Sequence, residues 1–186
     1  MTISVVLADA NILFSRTLRD YVLYAADAGA IEVHWSQQIL DEMSRNLRAR
    51  LGLDPADTAR LGDLMNEFIE YALIDVDPAD IDTAEGVEMD AADRHVLAAA
   101  LTADADVLLT QHTKHFPRDW LSDHGIELLN SGELLVRLAE QFPDRIRAAH
   151  TRTLQFSPKS EEDLLATLER SAGPAAAEAI RRAFKE

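Results

Sequence analysis

The sequence predicts an α/β protein: a three-layer α/β/α sandwich around a central parallel sheet, followed by a helical C-terminal appendage. Short apolar runs of strand length alternate with stretches of helical periodicity, which implies parallel strands covered on both faces. From Pro143 onward no strand-like run occurs. At 186 residues the chain can fill one well-formed core, so residues 1–142 are expected to form the main domain and residues 143–186 the helical extension.

Residues 3–8 read as a short buried strand, and 10–28 as one helix with Ile12, Leu13, Leu18, Val22 and Ala25 on its apolar stripe, ended by Gly29. "IEVHWS" suits a strand or an extended connection. Ser36 then caps a helix through Arg50 that carries Glu42. Asp54 and Pro55 open a helix with Leu61, Leu64, Met65, Phe68 and Ile69 inward. "ALIDV" at 72–76 is the next strand, and Asp90 opens the helix "DAADRHVLAAALTA". "DVLLT" at 106–110, a polar loop at 111–116, a short helix from Pro117 to about His124, the strand "IELL" at 126–129 and a helix from Ser131 to Gln141 complete the domain. In the extension, "SEED" at 160–163 has capping-box spacing and Pro174 starts a last helix.

The composition excludes several chemistries. Without cysteine there is no disulfide, thiolate zinc site or cysteine nucleophile, which fits a reducing compartment. Met1 leads directly into a strand, and no apolar run reaches membrane-spanning length, so a cytoplasmic protein is expected. The net charge of −15 is uneven: residues 1–144 hold 10 basic and 27 acidic side chains, whereas residues 145–186 hold 8 basic and 6 acidic. A soluble, solvated surface accounts for most of these acids; the remainder are candidates to converge on a cation.

Ligands of open parallel sheets bind outside the carboxyl ends of the strands, where strand order reverses. Asp9 and Thr110 stand at two such strand ends, Asp90 and Asp93 at the start of the helix entering the second strand, and Glu42 in the helix after "IEVHWS". Grouped carboxylates repel unless a hard cation such as Mg²⁺ or Mn²⁺ compensates them. Each residue also has a plain structural role open to it: Asp9 and Asp90 as helix caps, Asp93 as a first-turn acid, Glu42 as a solvated helix residue and His95 as packing or helix surface.

Taken together, "LADANILFS", "WSQQILDEMSRNL", "DAADRHVLAAALTADADVLLT" and "TQHTKHFP" resemble the PIN-domain ribonucleases, in particular the VapC-type toxins of bacterial toxin–antitoxin pairs that carry a helical C-terminal segment. The likeness covers residues 3–140. It implies a metal-dependent endoribonuclease acting on single-stranded RNA, with Asp9, Glu42 and Asp93 as its acids, Asp90 a neighbouring metal helper, and Asn11 and Thr110 as polar positions at the strand ends. Asn11 is expected to orient the carboxylates and Thr110 to position water or a phosphate oxygen. Arg16, Arg19, Arg94 and Lys114 are candidate RNA-backbone contacts. The chain departs from the family pattern at His112 and His115, where the family commonly has Asp or Asn; imidazole is a poor Mg²⁺ ligand. The resemblance further implies a small antitoxin partner and a homodimer.

Other enzyme classes lack their residues. A haloacid-dehalogenase-like phosphatase needs a second Asp at the position of Asn11, and no glycine-rich dinucleotide turn, P-loop or nucleophile elbow is present. A nuclease-like module that holds RNA or protein without cutting, and a solitary RNA-processing nuclease, remain the alternatives.

Overall fold

Strand β1 (Ser4–Ala8) runs through the middle of a five-stranded parallel sheet in the computed structural model, which describes residues 3–185. Met1, where the sequence was expected to lead directly into the strand, lies outside these residues, as does Glu186. The sheet order is β3-β2-β1-β4-β5, with β2 (Ile31–Ser36), β3 (Leu73–Ile74), β4 (Val107–Leu109) and β5 (Glu127–Leu129). In the register, Val6 pairs with Val33 on one side and Val107 on the other. All three are buried, as strands covered on both faces require. Strand order reverses beside β1, so the carboxyl ends of β1 and β4 flank the switch point.

The predicted helix over 10–28 is two helices, α1 (Ala10–Phe14) and α2 (Arg16–Asp27). Ser15 turns extended between them, and its hydroxyl accepts from Leu18 N–H, so local side-chain bonding displaces the helical path. Helix α3 (Gln37–Leu51) starts on the Ser36 cap and ends on Gly52 in the left-handed region at φ 65°. Helix α4 (Pro55–Phe68) is capped by Asp54 as expected, but its buried face is Thr58, Gly62 and Met65, with Leu64 exposed. Helix α5 (Pro78–Glu85) was not anticipated, although Asp77-Pro78 repeats the Asp54-Pro55 start signal. It takes up sequence just after the expected strand 72–76, which shortens to β3.

Ala91–Asp93 form a single 3-10 turn capped by Asp90, and the α-helix proper, α6 (Arg94–Thr102), begins after it. Helices α7 (Arg118–Asp123) and α8 (Ser131–Gln141) follow, the latter closed by a reciprocal Asn130–Glu133 capping box. At "SEED" the reciprocity is partial: Ser160 accepts from Asp163 N–H, while the Asp163 carboxylate returns to the Ser160 hydroxyl rather than to its backbone. Helices α9 (Pro143–Gln155), α10 (Glu161–Ala172) and α11 (Pro174–Lys185) pack on α2 and α8, and Ile146, Leu165, Leu168 and Ile180 join the same buried cluster as the sheet. Among the described residues no helix is long and apolar enough to cross a membrane.

Candidate active site

Asp9 leaves the end of β1 and caps α1, its Oδ1 accepting from Ala10 N–H at 2.7 Å. Its Oδ2 accepts from Asn11 Nδ2 at 2.6 Å and from the Thr110 hydroxyl at 2.7 Å. Thr110 follows β4, so the adjacency of β1 and β4 joins residues 101 positions apart. The Thr110 oxygen also accepts from Asn11 Nδ2 at 2.9 Å and from His112 N–H at 3.1 Å, while Asn11 Oδ1 accepts from Gln111 N–H at 2.8 Å. The Thr110 proton is committed to Asp9, which makes Thr110 a group that fixes the acid. Only 6% of Asp9 is exposed.

A cleft of about 320 Å³ opens over this network, edged by Asp9 and Asn11 from the β1 end, Glu42 from α3, Asp93, and His112 from the loop after β4. Size does not distinguish it, since a groove between α3 and α4 holds about 290 Å³; its place at the switch point does. Burial raises the Asp9 carboxyl above its ordinary range, opposed by the Thr110 and Ala10 hydrogen bonds and reinforced by the charges of Glu42 and Asp93. Glu42 is lowered, chiefly because His95 bonds its carboxylate, with Oε2 and Nε2 3.1 Å apart. Asp93 Oδ2 lies 3.2 Å from His115 Nδ1.

Asp9, Glu42 and Asp93 thus share one cleft, but among the described residues no three His, Asp or Glu side chains close into a compact ligand cluster. The donor set suits a hard cation that keeps part of its water shell and takes one or two carboxylates directly. A carboxyl raised by burial, with two further carboxylates adding to the shift, is an electrostatic situation such a cation relieves.

The other expected residues lie elsewhere. Asp90 is exposed, and its Oδ1 accepts from Ala92 N–H at 2.9 Å, so it caps the turn and does not edge the cleft. Arg94 lines a separate pocket between α5 and α6, and Lys114 is exposed beyond the cleft. Arg19 is buried on the Leu13 carbonyl, and Arg16 reaches the Phe156 carbonyl. Phe14, Asn46, Arg50, Gln111 and Phe116 line the cleft without having been anticipated. Asn46 and Arg50 were accessible from Glu42, since they stand four and eight residues after it on one helical face.

Comparison with known proteins adds to this geometry. No solved structure matches the chain. It is similar to the "Putative ribonuclease VapC50" of Mycobacterium tuberculosis, with 38% identity over 56 residues, 30% of this chain and 33% of the relative, so it spans about a third of that curated relative's length. The family model for the PIN domain matches residues 5–114, from β1 through the loop after β4. That match covers Asp9, Glu42, Asp93 and Thr110 and more than half of the sequence: the chain belongs to the PIN domain family.

Proposed function

We propose that this protein is a metal-dependent endoribonuclease that cuts single-stranded RNA, and that it acts in the cytoplasm as the toxin of a type II toxin–antitoxin pair. One observation carries the reading: acids from three separate segments, Asp9, Glu42 and Asp93, edge a single cleft at the switch point of the sheet. Membership of the PIN domain family and the partial likeness to a protein named as a ribonuclease support it.

A bound Mg²⁺ or Mn²⁺ would supply a water of lowered pKa and offset charge on the phosphoryl group. Asp9 and Asp93 are the residues that would hold it, with Glu42 joining directly or through water. Asn11 and Thr110 hold the Asp9 carboxylate in one orientation, through bonds of 2.6 and 2.7 Å. His112, exposed at the cleft edge, would meet an RNA phosphate in this reading. An antitoxin with a basic segment suits the acidic body, and a homodimer belongs to the same proposal.

The test is cleavage of a generic single-stranded RNA in Mg²⁺ and in Mn²⁺. Wild-type protein is expected to cut, chelation to stop it, and Asp9→Asn to slow it about a hundredfold or more. The engagement of Asp93 by His115 favours a second reading, a module that binds without cutting. RNA bound by the wild type but cut by neither wild type nor Asp9→Asn in either metal would support that reading instead.

A further inference from the structure

We infer that Phe14, Asn46 and Arg50 form a subsite for the nucleotide next to the scissile bond, its phosphate on the guanidinium and its base on the ring; this rests on the ribonuclease reading.

Glu42, Asn46 and Arg50 recur every fourth residue on α3, so they form one stripe along the cleft wall. At about 1.5 Å per residue, Arg50 stands about 12 Å from Glu42 along the helix axis. That offset places the Arg50 backbone farther along the cleft wall than Glu42. Arg50 is the lysine or arginine that lines this cleft among the described residues, and it makes no ion pair there.

Its guanidinium lies over the ring of Phe14, with Cζ 5.6 Å from the ring centroid. Phe14 ends α1, five residues after Asp9, and its half-buried side chain lines the cleft. A position in the last turn of α3 gives Arg50 a favourable place on the helix dipole, but that does not require the cleft side or the aromatic neighbour. A planar cation beside an aromatic face matches what single-stranded RNA presents, a phosphate and an unstacked base. Asn46, between Arg50 and Glu42, offers an amide donor and acceptor to the base or sugar edge.

The experiment measures binding of a short labelled single-stranded RNA to the Asp9→Asn protein by fluorescence anisotropy across a salt series. The same substitutions are then read as KM and kcat in the otherwise wild-type chain. Arg50→Ala is expected to weaken binding about tenfold and to flatten the slope of log affinity against log salt by about 0.7. Arg50→Lys restores the slope. Phe14→Leu weakens binding about tenfold with the slope unchanged, and Phe14→Trp recovers it. In the cleaving chain these variants raise KM and leave kcat within about twofold.

Unchanged affinity, salt slope and KM in Arg50→Ala and Phe14→Leu, at wild-type melting temperature, would overturn the subsite even if the chain cuts RNA. RNA bound with these sensitivities but never cut would keep the subsite and remove the nuclease reading. An RNA neither bound nor cut would overturn both.

Discussion

Nε2 of His95, near the start of α6, lies 3.1 Å from Oε2 of Glu42 on α3. Both side chains are mostly shielded from solvent, and the bond ties the cleft-lining acid to the helix that follows Asp93. His95→Ala is expected to lower the cleavage rate about 10- to 100-fold by freeing Glu42, and His95→Gln to recover part of it through its amide donor. Steady-state kinetics of the two variants check this; equal rates in wild type and His95→Ala would show that Glu42 needs no such support.

Thr110→Val removes the hydroxyl that donates to Asp9 and accepts from Asn11 and His112. A buried carboxylate then loses a donor and two N–H groups lose an acceptor. Stability at neutral pH is expected to fall by about 1–3 kcal/mol, with Thr110→Ser close to wild type. Urea denaturation measures the difference.

Gly132 on α8 faces the α10 terminus so closely that a Cβ would overlap the carbonyl oxygen of Ala172. Gly132→Ala is expected to cost about 1–3 kcal/mol by forcing the helices apart. Gln111 would feel the shift, because its Nε2 donates to the Ser171 carbonyl at 2.6 Å and its Oε1 accepts from Ser131 N–H at 3.0 Å. Hydrogen exchange of α10 and of the 110–112 segment should accelerate together; acceleration of α10 alone would show that Gln111 does not link them.

His150 on α9 is fully buried, with Nδ1 2.6 Å from the Tyr21 hydroxyl on α2 and Nε2 unpartnered. Burial lowers its pKa and raises that of Tyr21, so the neutral pair persists in the folded state; Glu161, 3.9 Å from Nε2, is the carboxylate facing it. The unfolded chain takes up this proton near its ordinary pKa of about 6.5, before the folded chain does. The contribution is therefore complete above about pH 6.5 and is lost as pH falls below it. His150→Gln is expected to flatten the stability profile over that range, and thermal melts across pH would show an unaltered slope if another group were responsible.

Sequence patterns disclosed most of the architecture because parallel strands buried on both faces leave uninterrupted apolar runs, as in "SVVLA" and "VLL". They failed where local polar chemistry overrode periodicity. Ser15 breaks a helix whose apolar stripe continues across it, and the apolar residues of α4 do not all face inward, as Leu64 shows. The acids of the cleft were legible as strand-end and helix-face positions. The role of His95 was not, because its partner Glu42 lies 53 residues away and only the packing of α3 on α6 brings them together. Asp90 illustrates the converse: a capping acid and a ligand look alike in sequence, and the hydrogen bond to Ala92 N–H is what the fold reveals.

In the proposed site Asp9 and Asp93, with Glu42, serve a single divalent ion. Titration of the metal-free protein with Mn²⁺, followed by electron paramagnetic resonance of the free ion, measures this binding. Wild-type protein is expected to bind one ion per chain, with affinity reduced about a hundredfold or more in Asp9→Asn and in Asp93→Asn. Equal Mn²⁺ binding by wild type and both variants would show that these acids do not hold the ion.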